Sequence, residues 1–360
     1  MSEALRSHYE QYPYPCYPLL ARLQRHDTYA LNLEALWARF NGVRPQPSQK
    51  RILIAGCGSF APYPFALANP DSPITALDLS RTSLARAKRH CLLHGLTGVD
   101  FREGDLLHHA TGAQPYGMVD AYGVLHHLDD PLAGLQALER VLVPGGILRI
   151  MVYSRYARRE EESIRRALRL LRVTGIAEVR QLLGRARLGS RLHRFLTESD
   201  EIAFESGLAD ALLHPRVTTY RIDELFELIG HTELQPLLFI HPGAREEVTA
   251  EQQRLRSLER QRHSPGNFVL FLGKQVNPPA EEKRSMLMLN PCLTGSLGRF
   301  RFGTVTVAPR LGCDNPPLDG AARRLLRMFR APRTEAGLPD EVRRLLPDYL
   351  RSLFLVRYLE

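Results

Sequence analysis

The residues of this chain best equipped to do chemistry are two adjacent histidines, His126 and His127, in the run Gly123-Val124-Leu125-His126-His127-Leu128-Asp129-Asp130-Pro131. An imidazole titrates near neutrality, so either ring can take a proton from a reacting group if the chain sets it in a cleft. The pair is equally suited to forming an inert aromatic wall. No third ligand with metal-binding spacing accompanies them, so no metal is expected. Two carboxylates stand in comparable places. Asp78 ends the apolar run Ile74-Thr75-Ala76-Leu77, and Asp105 follows Gly104 just after Val99-Asp100-Phe101-Arg102. Asp78 is suited to ribose hydroxyls and Asp105 to an exocyclic amine, or Asp105 caps the following turn.

These residues need a scaffold that brings strand ends together. Ile52-Leu53-Ile54-Ala55 reads as a buried parallel strand, and Gly56-Cys57-Gly58 turns directly out of it. Two glycines there allow a tight turn and a close ligand approach. A helix over residues 63–68 and the turn Asn69-Pro70-Asp71-Ser72-Pro73 lead to the strand ending in Asp78, twenty residues beyond Gly58. Gly56, Gly58 and Ala61 also fit a dinucleotide fingerprint, so a nicotinamide cofactor stays open at this point. Ser80 caps a helix running to about His94. Residues 118–125 form a fourth strand, 132–142 a helix, and 147–153 a fifth strand, with Val143-Pro144-Gly145-Gly146 between them. Strands alternating with helices predict an α/β fold with a doubly wound parallel sheet.

From about Lys50 to Tyr153 the chain resembles a class I S-adenosylmethionine (SAM)-dependent methyltransferase. The resemblance rests on AGCG after the first strand, Asp78 after the second, Gly104-Asp105 after the third, GVLHHLDDP after the fourth, and LVPGGILRI entering the fifth. The wording is similar to methyltransferase domains often found beside tetratricopeptide repeats, although this chain has no such repeat. It implies a Rossmann-like seven-stranded sheet, a helical insertion after strand five, and SAM as cofactor. Gly56, Cys57 and Gly58 would face the methionine end of SAM, and Asp78 the ribose with Leu79 near the adenine. Asp105 and Leu106 would hold the adenine, and Gly123, Val124 and His126 the floor near the methyl. The family's third glycine is Phe60 here, which reshapes the loop.

Outside that region, residues 1–49 form a strap and lid. Tyr9 to Pro18 is rich in proline and tyrosine, which predicts extended backbone with large aromatic faces. Leu33, Leu36, Trp37 and Phe40 lie at helical spacing. The methyltransferase domain spans 50–275, with a basic insertion over 154–215. Between Arg155 and Arg194 stand 12 arginines against 4 glutamates, +8 of the chain's formal +9. Ile164, Leu168, Leu171 and Ile176 give it a buried stripe. Tyr12, Tyr14 and Tyr17 of the strap, with Tyr153, Arg165, Arg166 and Arg169, are expected to wall the acceptor site.

Residues 234–240 and 268–272 close the sheet as a hairpin, with a polar, exposed helix over 249–262. A linker over 276–284 precedes a small α+β module, 285–360, of winged-helix-like aspect. It has a strand over 300–307 and helices over 318–329, 341–346 and 349–359. It is suited to a homodimer or protein contact, and residues 1–275 are expected to fold without it. The 5 scattered cysteines point to free thiols in a reducing cytoplasm. No run of eighteen apolar residues spans a membrane. The expected acceptor is a small, anionic molecule. Protein or RNA methylation through the basic insertion is the alternative, with nucleic acid not favoured, and a non-catalytic SAM-binding partner is the last.

Overall fold

The computed structural model describes residues 3–109, 114–198, 202, 204–277, 285–298 and 303–359. The chain opens with a helix, α1 (Glu3–Gln11), where the sequence suggests only a strap. Pro13 bars its residue before it from helical backbone, so the helix stops just short of the prolines and the strap follows. In α2 (Leu33–Asn41), the Asn32 side chain accepts from the Ala35 N–H at 3.0 Å, and Gly42 ends the helix in left-handed backbone.

The sheet then builds in order. β1 (Ile52–Ala55), α3 (Pro62–Ala68), β2 (Ile74–Asp78), α4 (Arg81–Leu93), β3 (Val99–Glu103), α5 (Leu106–His109), β4 (Tyr116–Tyr122), α6 (Pro131–Arg140) and β5 (Leu142–Val152) follow one another. Ser80 caps α4 and Asp130 caps α6 through their side-chain oxygens. β4 is shorter than the sequence suggests. Gly123, at φ +83°, turns the chain, and Leu125–His127 form a 3-10 turn rather than more strand. β5 begins earlier, and its register against β4 shifts between Tyr116 and Met118.

Between β5 and the closing strands lie α7 (Arg159–Leu170), α8 (Ile176–Gly184), α9 (Arg191–Glu198) and α10 (Glu205–Leu213). They share a small core of Leu168, Ile176, Val179, Leu183, Leu208 and Leu212, with Ile164 partly buried against it. Leu171 lies outside this core and is 65% exposed, because it falls past the end of α7. Then come α11 (Ile222–Gly230), β6 (Leu234–Phe239), α12 (Val248–Arg260) and β7 (Phe268–Lys274). The strand order is β3-β2-β1-β4-β5-β7-β6, with β7 antiparallel to both neighbours and the other pairs parallel. This is the doubly wound seven-stranded sheet expected. α12 is not simply exposed, since it buries Leu255, Glu251 and Glu259.

The C-terminal region holds β8 (Ser285–Leu289), α13 (Gly320–Arg327), β9 (Arg333–Thr334), α14 (Asp340–Arg351) and β10 (Leu355–Leu359). β10-β8-β9 form a three-stranded antiparallel sheet. The last expected helix is instead the end of α14 followed by β10, and α14 runs through Pro347 without breaking. Most of the expected linker, 278–284, lies outside the described residues, as do 300–302 of the expected strand. Val305 makes a single bridge with Leu318.

This region shares one core with the N-terminal segment. Leu293, Leu297, Phe329 and Phe354 pack in the same cluster as Tyr29, Leu36, Trp37 and Phe40. The buried Asn290 side chain donates to the carbonyls of Tyr29 (3.1 Å) and Leu353 (3.0 Å), and the Leu359 N–H donates to Gly42 O at 2.7 Å. Each such apolar side chain contributes about 1.5–3 kcal/mol when fully buried. A chain ending at residue 275 therefore loses the cover of Tyr29 and Leu36. We expect it to aggregate or to unfold without a cooperative transition. A soluble fragment with a sharp thermal melt contradicts the shared core.

Candidate functional site

The site is built at the C-terminal ends of the parallel strands, where an open α/β sheet leaves a crevice. After β1 the backbone turns through Gly56 and Gly58, at φ +65° and +55°. Neither tolerates a side chain. A Cβ on Gly56 would stand 2.5 Å from Val124 Cγ2, and one on Gly58 would stand 2.4 Å from the Tyr14 carbonyl oxygen. The Asp78 carboxylate locks this turn. One oxygen accepts from Gly58 N–H at 2.7 Å and the other from Ser80 N–H at 2.9 Å. Burial raises its pKa, and these backbone donors oppose the rise.

A cavity of ≈ 800 Å³ opens over this turn. Gly56, Cys57, Gly58, Asp78, Leu79, Leu106, Gly123 and Val124 line it, together with His127, Tyr14, Tyr17 and Tyr153. An adenosyl ligand fits these residues. The backbone N–H groups of Gly58, Ser80 and Leu79 lie on the Asp78 carboxylate, whose two oxygens have four lone pairs, so acceptor capacity remains for a ribose hydroxyl. Leu79 and Leu106 supply apolar surface for a base. Asp105 is placed differently from the expectation. Its carboxylate accepts from Leu107 N–H at 2.8 Å at the start of α5, and its neighbours Gly104 and Leu106 line the cavity in its stead.

The two histidines separate in role. His126 is fully buried behind the wall, its ring stacked on Tyr153 at 3.9 Å between centroids, and it does not reach the cavity. Neither of its ring nitrogens has a hydrogen-bond partner among the described residues. The expectation that it touches the cofactor is corrected by this packing. His127 does line the cavity. Its Nδ1 is 2.9 Å from the Arg216 carbonyl, which accepts only, so Nδ1 carries the hydrogen and Nε2 the lone pair. Burial lowers its pKa to about 4.

Beside His127 lies a cluster of which the sequence singled out only Tyr153 as a pocket residue. The Tyr9 hydroxyl donates to Asp210 Oδ1 at 3.1 Å, and the Tyr153 hydroxyl to Oδ2 at 3.4 Å. Arg158 packs its guanidinium over the Tyr153 ring at 4.1 Å and pairs with Glu161 at 2.6 Å. Tyr9, Asp210 and Arg158 all line the cavity. The available signal was Asp210 itself, a lone carboxylate inside the apolar run Leu208-Ala209-Asp210-Ala211-Leu212-Leu213.

The arginines expected at the wall lie elsewhere. Arg165 is buried, pairs with Glu161 at 3.2 Å and donates to the Ala211 carbonyl, so it braces the insertion. Arg166 and Arg169 are exposed on α7. Tyr12 packs against the insertion's core rather than lining the cavity. His8, Asp210 and His214 bring donor atoms within 4.8 Å of one another. However, His214 Nδ1 accepts from Arg216 N–H at 3.1 Å, so its Nε2 carries the hydrogen and neither nitrogen offers a free lone pair.

Residues 53–150 match a family model described as a methyltransferase domain. The uncharacterized protein syc1184_c of Synechococcus sp. is 31% identical over 336 residues, 84% of this chain and 80% of that protein. A ubiquinone biosynthesis O-methyltransferase of Haemophilus ducreyi is 28% identical over 125 residues, 32% of this chain and 52% of that protein. The chain thus matches about half the length of that enzyme. Among solved structures, PKMT2 from Rickettsia typhi superposes with a TM-score of 0.58 at 14% identity, covering 95% of this chain and 77% of the other. Its complex with AdoHcy gives 0.55 at 13%, with the same coverage. At such identity the likeness is one of fold.

Two outcomes follow from the site. Asp78→Ala is expected to weaken SAM binding by about 1–3 kcal/mol in a folded protein, the range for losing a charged acceptor. An unchanged dissociation constant by calorimetry moves the ribose contact elsewhere. Burial also holds His8, His126, His127 and His214 below the ordinary imidazole pKa. The unfolded chain therefore binds protons that the folded chain refuses. Their contribution is intact above the unfolded pKa of 6.5 and is lost as pH falls from there toward about 4, the folded value of His127. Thermal melts at pH 7.5 and pH 5 should show lower stability at pH 5, and His127→Gln should narrow the gap. An equal gap in the variant contradicts the assignment.

Proposed function

We propose that this chain, which belongs to the same family as the Synechococcus protein syc1184_c and is a SAM-dependent methyltransferase, methylates an oxygen of a small, anionic molecule in the cytoplasm. The observation that carries the reading is His127, a neutral imidazole that lines the same cavity as Asp78 and the glycine turn and whose Nδ1–H is held by the Arg216 carbonyl, which leaves Nε2 as its proton acceptor. The oxygen is supported by the Haemophilus ducreyi relative, an O-methyltransferase. A small acceptor is supported by the strap. Tyr14 and Tyr17 line the cavity, and the strap is tied down by the bond from Ser59 N–H to the Tyr14 carbonyl at 3.1 Å.

When bound, SAM supplies a methyl group on a positively charged sulfur. The residues around it then need only hold two partners in line, exclude water and receive a proton. Gly56–Gly58 and Asp78 hold the cofactor, and Tyr14, Tyr17 and Tyr153 close around the acceptor. His127 Nε2 takes the hydroxyl proton as the new carbon–oxygen bond forms, while Nδ1–H stays on the Arg216 carbonyl and keeps the ring oriented. A base this weak suits a proton that becomes acidic during the transfer itself. His127 remains neutral beforehand, so it does not repel the sulfonium.

His127→Gln tests the reading. Formation of S-adenosylhomocysteine (SAH) from SAM, in the presence of a small-molecule extract, should fall by about 10²-fold or more, with SAM affinity unchanged. Equal turnover removes His127 from the mechanism. Arg166→Glu with Arg169→Glu decides between acceptor classes. A small acceptor predicts turnover within about twofold of the unsubstituted chain, since both side chains are exposed and neither lines the cavity. A large, salt-dependent loss points to an anionic polymer gripped by the insertion.

A further inference from the structure

A buried ion pair sits where a sheet of this kind has no structural need for one. Asp120 on β4 and Arg149 on β5 are directly opposed in register, and Arg149 Nε donates to Asp120 Oδ1 at 2.6 Å. Their side chains are 2% and 16% exposed. The neighbours on this face are apolar: Met118, Ile147, Phe65 and Phe271 belong to the core beneath. Well-packed apolar residues in place of a buried ion pair are often as stabilising or more so, so stability alone gives little reason for charge here.

Both residues line the cavity. The Arg149 guanidinium lies near the rings of Phe65 (5.5 Å) and Tyr122 (5.0 Å), which with Asp120 fix its plane. Guanidinium has five N–H donors, and the bond to Asp120 uses the one on Nε. The two terminal nitrogens make no hydrogen bond to any described residue, and neither is among the fully enclosed unpaired atoms. The lining also holds Arg310, brought by the C-terminal region through the bond from its backbone N–H to the Tyr29 hydroxyl at 2.9 Å. Asp27, Asp78 and Asp210 are the other carboxylates of the lining.

We infer that Arg149, held by Asp120 beside two aromatic rings, is the cavity's receptor for a ligand carboxylate. A preorganised guanidinium fork takes a carboxylate through two parallel bonds, and the fixed plane removes the cost of ordering a flexible arginine. Two carboxylates can reach the cavity, that of the cofactor's methionine end and that of an anionic acceptor. The inference rests on the cavity's assignment to SAM.

The test uses the full chain and calorimetry with SAH, with 5′-methylthioadenosine, which lacks the amino-acid end, and with benzoate on SAH-saturated protein. The variants are Arg149→Met and the neutral pair Asp120→Asn with Arg149→Met, which leaves no unpaired buried charge should the single variant fail to fold. A loss of SAH affinity of tenfold or more, with 5′-methylthioadenosine unchanged, supports the receptor and assigns it to the cofactor. Unchanged SAH affinity with loss of the benzoate binding seen in the unsubstituted chain supports it and assigns it to the acceptor. If neither SAH nor benzoate binding differs from the unsubstituted chain, the inference is overturned. If the unsubstituted chain does not bind SAH, the cavity's assignment to SAM is overturned, and this inference with it.

Discussion

The Asp78 carboxylate is the constraint on which the rest of the site depends. It joins the turn after β1 to the start of α4 through Gly58 N–H and Ser80 N–H. Ser80 carries the linkage outward, because its hydroxyl donates to the Tyr9 carbonyl at 3.1 Å. The strap returns to the same turn through Ser59 N–H and the Tyr14 carbonyl. One carboxylate thereby fixes the turn proposed to seat the cofactor, the first residues of the strap and the entry to a helix. Backbone donors to a charged acceptor are strong and directional, which explains why so small a contact can order three segments.

Phe60 takes its meaning from this arrangement. At the place where the resemblance to class I methyltransferases implies a third glycine, its ring packs on Tyr17 at 4.5 Å between centroids, on His90 at 5.1 Å and on Tyr63 at 5.7 Å. The departure from the pattern is therefore a docking point for the strap rather than a damaged loop. The histidines and tyrosines around Asp210 share one electrostatic logic. Burial keeps the imidazoles uncharged, and Asp210 gathers the Tyr9 and Tyr153 hydroxyls. A positively charged methyl donor meets no competing imidazolium there.

Strands β1 to β4 were legible in the sequence because each leads into a residue of unusual type, Gly56, Asp78, Gly104 or Gly123, and because β1, β2 and β4 are predominantly apolar runs. The glycine turn and Asp78 were legible for the same reason, since local backbone geometry sets their roles. The long-range contacts were not. The choice between His126 and His127 depends on which ring meets Tyr153 and which meets Arg216, about 90 residues away along the chain by the 89-residue separation of the latter pair. The arginines of α7 look alike in sequence, yet Arg165 is buried and Arg166 exposed because the helix has an inner face. The C-terminal region reads as a separate module until Asn290 and Phe354 are seen against Tyr29.

The central claim is that the strap, the glycine turn and Asp78 act as one unit around SAM. Amide hydrogen exchange of the full chain during titration with SAM tests it most directly. The account predicts saturable binding with exchange slowed together in residues 12–24 and 56–60. Binding that protects the glycine turn while leaving the strap unchanged, or no saturation at millimolar SAM, contradicts it.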